Sequence, residues 1–157
     1  MLKRLKYLLY RLQWTLAPCL RYGKIVHIDL EINNNCNQSC ISCWHSKPKE
    51  LPFKIETMNL DMVMLYIRHY KILGAKSIKF NLRGEPLLNK NLINYIRHAE
   101  RLGFIDIMIN TNGILLSKEK MIELDQAGLT SCTISVDSLI SDNYCKLHGC
   151  NKKDYSE

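Results

Sequence analysis

No stretch of this chain is both long and apolar enough to cross a bilayer, so a transmembrane reading is set aside. There is no internal repeat and no low-complexity run, which argues against solenoids and flexible linkers. With 46% apolar residues in 157, disorder across the whole chain is excluded and one domain with a real core is expected. No acidic residue precedes Asp29, while Lys3, Arg4, Lys6, Arg11, Arg21 and Lys24 all do. The net charge of +7 therefore belongs partly to an N-terminal segment, and specific nucleic-acid binding is not expected. A secretory signal is missing too: Arg11 breaks the apolar run, and Pro18 beside Cys19 is wrong for a lipoprotein site. The expected location is the cytoplasm. There, an odd count of 7 cysteines reads as metal or redox chemistry rather than disulfides.

The first segment, 1–22, reads as a basic amphipathic helix. Leu2, Leu5, Leu8, Leu9, Leu12 and Leu16 recur at helical spacing, and Pro18 and Gly23 end it. Such a helix either packs on the domain or contacts a partner or membrane surface through residues 1–20.

From 23 to 157 strands and helices alternate. Strands are predicted at 25–32, 77–82, 105–109 and 131–136, and helices at 59–73, 89–102 and 118–127, with another beginning near Asn143. In the first strand Ile28, Leu30 and Ile32 share one face, and His27, Asp29 and Glu31 the other. Repeated strand–helix units imply a parallel sheet, so the fold class is α/β: a partial (β/α) barrel of about four units. A closed barrel needs about 250 residues, so an open edge is expected and the core is read as C-terminally incomplete.

In such sheets ligands bind beyond the carboxyl ends of the strands. After the first predicted strand comes Cys36-Asn-Gln-Ser-Cys40-Ile-Ser-Cys43-Trp44. After the second comes Arg83-Gly84-Glu85-Pro86, after the third Asn110-Thr111-Asn112-Gly113, and at the fourth Ser135-Val136-Asp137-Ser138. All four clusters fall on one rim. Cys36, Cys40 and Cys43 can hold three irons of a cubic cluster and leave the fourth open. The competing reading of that loop is a structural zinc site completed by His45. Cys132 reads as core. Cys19, Cys145 and Cys150 are not expected as ligands, and His69 and His98 read as surface or packing residues.

At these residues the chain resembles the radical SAM superfamily (radical S-adenosylmethionine enzymes). Cys36, Cys40 and Cys43 match its CxxxCxxC signature. Gly84-Glu85-Pro86 resembles its GGE motif, with Arg83 where the first glycine often stands, and the turn at Asn112 resembles its TNG. Ser135 and Asp137 resemble the polar residues that approach the ribose. The likeness is greatest to the branch that modifies peptides or proteins and often carries SPASM-type auxiliary-cluster domains downstream. The resemblance implies a 4Fe–4S cluster on the three cysteines and S-adenosylmethionine (SAM) on its open iron. It implies that Glu85 accepts from the SAM ammonium, and that Gly84 allows close backbone approach. Reductive cleavage then yields a 5′-deoxyadenosyl radical that abstracts a substrate hydrogen, the electron coming from a flavodoxin- or ferredoxin-type donor. Many members have an aromatic residue just before the third cysteine. Here Ser42 holds that place and Trp44 follows, a candidate wall for the adenine. Two alternatives stand beside this: a non-catalytic cluster-binding fragment, and a zinc-stabilised interaction domain.

Overall fold

The computed structural model describes residues 2–16, 25–43 and 54–150. At its centre is a parallel sheet in the order β1-β2-β3-β4, formed by His27–Asp29, Ser77–Lys79, Asp106–Thr111 and Ser131–Ile134. Helices α2 (Leu60–Ile72), α3 (Leu92–Arg101) and α4 (Lys118–Ala127) connect the strands. Helix α1 (Leu2–Leu16) precedes the sheet and α5 (Ser141–His148) follows it. This is the expected partial barrel of four parallel strand–helix units.

β1 is shorter than the predicted strand, yet its alternation runs on. Ile28, Leu30 and Ile32 are buried with Ile78, Phe80, Ile107 and Ile109 against Val63 and Ile67 of α2 and Tyr95, Ile96 and Ala99 of α3. The polar face of β1 meets the polar face of β2. His27 Nδ1 is 2.8 Å from Ser77 Oγ, and Lys79 Nζ is 2.9 Å from Asp29. Arg83 grips Glu31 with two bonds of 3.0 and 2.6 Å. Asn59 Oδ1 accepts from Asp61 N–H at 2.8 Å to open α2, and Ser117 Oγ accepts from Lys120 N–H at 3.2 Å to open α4.

Two expectations change. The leucine stripe of α1 is not its packing face: Leu5, Leu8, Leu9, Leu12 and Leu16 are exposed. The aromatic face packs instead. Tyr10 is fully buried, Trp14 lies 4.4 Å from the His27 ring, and Lys76 bonds Gln13. Burial pushes the Tyr10 hydroxyl up to about 12. Large rings bury more area than leucines, so they win the contact with the sheet. Cys132, read as core, is exposed with every residue of β4, because neither face of that strand is covered among the described residues.

Candidate cofactor site

The three-cysteine loop leaves the end of β1 and is clamped where it departs. Asn33 forms a β-bridge with Thr57, and Met58 N–H bonds Ile32 O at 2.9 Å. Within the loop Cys43 N–H bonds Cys40 O at 2.9 Å, a tight turn that keeps these two cysteines together. Cys36, Cys40 and Cys43 are all half-buried. Burial pushes the Cys36 and Cys40 thiols up. Negative charge at Glu85 and Cys43 adds to this at Cys36, and charge at Cys36 and Cys43 adds to it at Cys40. Thiols that raise one another in this way lie close together, and a bound cationic metal reverses the effect by deprotonating them. Among the described residues no group of His, Cys, Asp or Glu is gathered to hold a single ion. A cluster asks for a looser set, since each thiolate ends on its own iron. The donor set fits that demand. Trp44, His45 and Cys19 lie outside the described residues.

Gly84 sits against this loop. A Cβ there would lie 2.3 Å from Asn33 O and 2.9 Å from Asn35 O, so only glycine permits the approach. Glu85 N–H then bonds Asn35 O at 2.7 Å, and Asn33 Nδ2 donates to Glu85 O at 3.1 Å. Pro86 is buried and opens a short 3-10 turn, Pro86–Leu88. The Glu85 side chain is 3% exposed. Its Oε1 accepts from Thr111 Oγ1 at 2.8 Å and Leu87 N–H at 3.0 Å, and its Oε2 accepts from Asn112 N–H at 2.9 Å. Burial raises its carboxyl above the ordinary value, and these three bonds oppose the rise. Glu85 thus ties the turn after β2 to the turn after β3.

Asn112 extends the tie to the cysteines. Its Nδ2 donates to Asn37 Oδ1 at 2.8 Å and lies 3.9 Å from Cys36 Sγ. Ser135 is exposed, and its N–H bonds Thr111 O at 2.9 Å. Asp137 lies 2.9 Å from His148 Nε2. The turns after all four strands therefore meet around Cys36 and Cys40.

Several members of the set escaped the sequence reading: Gln38, Tyr144 and His148. The signal for Tyr144 and His148 was their spacing of four on one helix, which places both on one face. Cys145 on that helix and Cys150 just past its end lie with their sulfurs 3.5 Å apart.

The family model described as the Radical SAM superfamily matches residues 30–157. The chain belongs to the radical SAM superfamily. Its cofactors are those of the superfamily, a 4Fe–4S cluster and SAM. It is 28% identical over 126 residues to a GTP 3′,8-cyclase of Clostridium perfringens, covering 79% of this chain and 38% of that protein. It is 31% identical over 125 residues to a GTP 3′,8-cyclase of Lactiplantibacillus plantarum, covering 77% and 36%. The chain thus spans well under half the length of these curated relatives. The radical SAM fold is shared with Streptococcus suis SuiB bound to S-adenosylmethionine, at a TM-score of 0.68 and 19% identity over 84% of this chain and 30% of that one. It is shared also with BtrN in complex with AdoMet and 2-DOIA, at 0.60 and 20%, covering 84% and 54%.

Proposed function

We propose that this chain forms the cofactor-binding part of a radical SAM enzyme, with Cys36, Cys40 and Cys43 as the cluster ligands. The observation that supports it most is the Glu85–Asn112 tie, which draws the turns after β2 and β3 onto the cysteine loop at Cys36. In this reading Gly84 lets the backbone approach SAM, and Pro86 holds the turn. Glu85 keeps lone pairs for the SAM ammonium beside those it gives to Thr111, Leu87 and Asn112. Asn112, Ser135 and Asp137 line the ribose side, and Trp44 the adenine. The cluster, when bound, supplies the electron that cleaves the sulfonium of SAM and so leads to hydrogen abstraction. Anaerobic reconstitution followed by iron and acid-labile sulfide analysis tests the ligand assignment. About four of each per chain are expected, lost when any of the three cysteines becomes alanine. Stoichiometric zinc without sulfide would replace this reading with a zinc-stabilised domain.

A second reading is a module that holds the cofactors without turnover. The exposure of every residue in β4 favours it, since a site open on that side admits water to a radical. Little 5′-deoxyadenosine is then expected from this chain with SAM and dithionite, and robust production counts against it.

The hydrogen donor is read first as a peptide or protein, in line with the fold shared with SuiB bound to precursor peptide SuiA (TM-score 0.66, 20% identity). GTP is the second reading, from the sequence relatives. Following 5′-deoxyadenosine with GTP against a peptide pool separates them. A flavodoxin or ferredoxin is the proposed electron donor, and the cytoplasm the proposed location. No described helix is long and apolar enough to cross a membrane. The exposed leucines of α1, with Arg4, Lys6 and Arg11 around them, suit an anionic bilayer surface. Unchanged liposome binding after deletion of residues 1–20 would remove that proposal.

A further inference from the structure

Helix α5 reaches back across the site and ends on His148, a residue with no role so far. His148 is 3% exposed and stacks on Tyr144 with ring centroids 4.1 Å apart and 20° between planes. The backbone holds it against the cysteine loop. Ile41 N–H bonds Leu147 O at 2.9 Å, and Ser39 N–H bonds His148 O at 3.2 Å. Gly149 at φ +61 turns the chain away, and a Cβ there would meet Ser39 O at 2.8 Å.

The neighbours decide which ring nitrogen carries hydrogen. The Asn112 carbonyl only accepts, so the Tyr144 hydroxyl 3.5 Å away donates to it. That hydroxyl accepts from Gln38 Nε2 at 3.2 Å. Gln38 Oε1 is thereby turned to His148 Nδ1, also at 3.2 Å. Oε1 only accepts, so Nδ1 bears the hydrogen. The same Nδ1 lies 3.2 Å from Cys40 Sγ. On the far side Nε2 is 2.9 Å from Asp137 Oδ2, without hydrogen-bond alignment.

We propose that His148 is a positioning residue for the cluster: its Nδ1–H, shared with Gln38 Oε1, donates to the Cys40 sulfur and favours the reduced cluster. The inference rests on Cys40 being a cluster ligand. Reduction places more charge on the ligand sulfurs, so a donor at one of them stabilises the reduced state and raises the potential.

The test uses the full chain, reconstituted as wild type, H148F and H148N. Phenylalanine keeps the stack and removes the donor, whereas asparagine restores an N–H near Nδ1. Iron, sulfide and an EPR-monitored redox titration are measured for each. The expected result is a negative shift in H148F of roughly tenfold in the reduction equilibrium, about 59 mV for one electron, largely reversed in H148N. A loaded H148F cluster at the wild-type potential overturns the proposal, since a purely packing role changes loading or Tm alone. Should H148F fail to load, wild type carrying ¹⁵N-histidine decides the matter by hyperfine spectroscopy of the reduced cluster. A histidine nitrogen coupling supports the bond and its absence overturns it. Wild type without iron and sulfide instead sinks the cluster assignment itself.

Discussion

Gly84 and Glu85 show how much of the site depends on single residues. The Gly84 position admits no Cβ because Asn33 O would lie 2.3 Å away, and backbone cannot swing aside as a side chain can. G84A is expected to lower stability by about 1–3 kcal/mol in urea unfolding and to impair cluster loading. Unchanged values in both would mean the loop relaxes freely. Glu85 sets a pH dependence. Burial raises its folded value above the ordinary 4.5, so the folded state keeps a proton that the unfolded chain has released. Its contribution to stability is complete below 4.5 and is lost as pH rises through the raised value. The fall of Tm with rising pH just above 4.5 should therefore be shallower in E85Q, which cannot ionise. Equal slopes in the two proteins would count against it. The type and spacing of Gly84 and Glu85 were legible, since glycine and a carboxylate after a strand are local signals. Two of the three partners of the carboxylate were not, because Thr111 and Asn112 reach it from another strand.

Among the elements, α1 departed furthest from its sequence pattern. Leucine periodicity shows that a helix has an apolar face, but it does not say which face a neighbour takes. Tyr10 and Trp14 take the sheet, so Y10A is expected to cost about 3–5 kcal/mol. L8S, on the exposed face, should stay within about 0.5 kcal/mol. Reversed magnitudes in denaturant melts would show that the leucines carry the packing. α5 was predicted only as a helix beginning near Asn143, and its weight in the site comes from contacts of long sequence range. Gln38 and Tyr144 are 106 residues apart in the chain, a pairing no local window contains.

For the molecule as a whole, the sheet's outer strand β4 dominates its behaviour. Ile134, Val136, Leu139 and Ile140 are exposed beside a strand that, among the described residues, pairs with β3 alone, a template for pairing with another chain. V136K should suppress concentration-dependent association in light scattering while leaving Tm nearly unchanged. Association that persists undiminished would place the sticky surface elsewhere, with the α1 leucines next to be tested.

Order and period were enough, from the amino acids alone, to establish the alternating units, the parallel sheet, the buried face of Ile28, Leu30 and Ile32, and the common rim of the four turns. These follow from local chemistry: strand alternation, helix caps and glycine-bearing turns are written within a few residues of one another. The choice of the aromatic over the leucine face of α1 needed the folded chain. So did the exposure of Cys132, the closing of Glu85 on Thr111 and Asn112, and the seating of His148 on Cys40. Each is a contact between distant segments, settled by which surfaces bury the most area and which buried polar atoms find partners. Position in the chain carries no record of that competition.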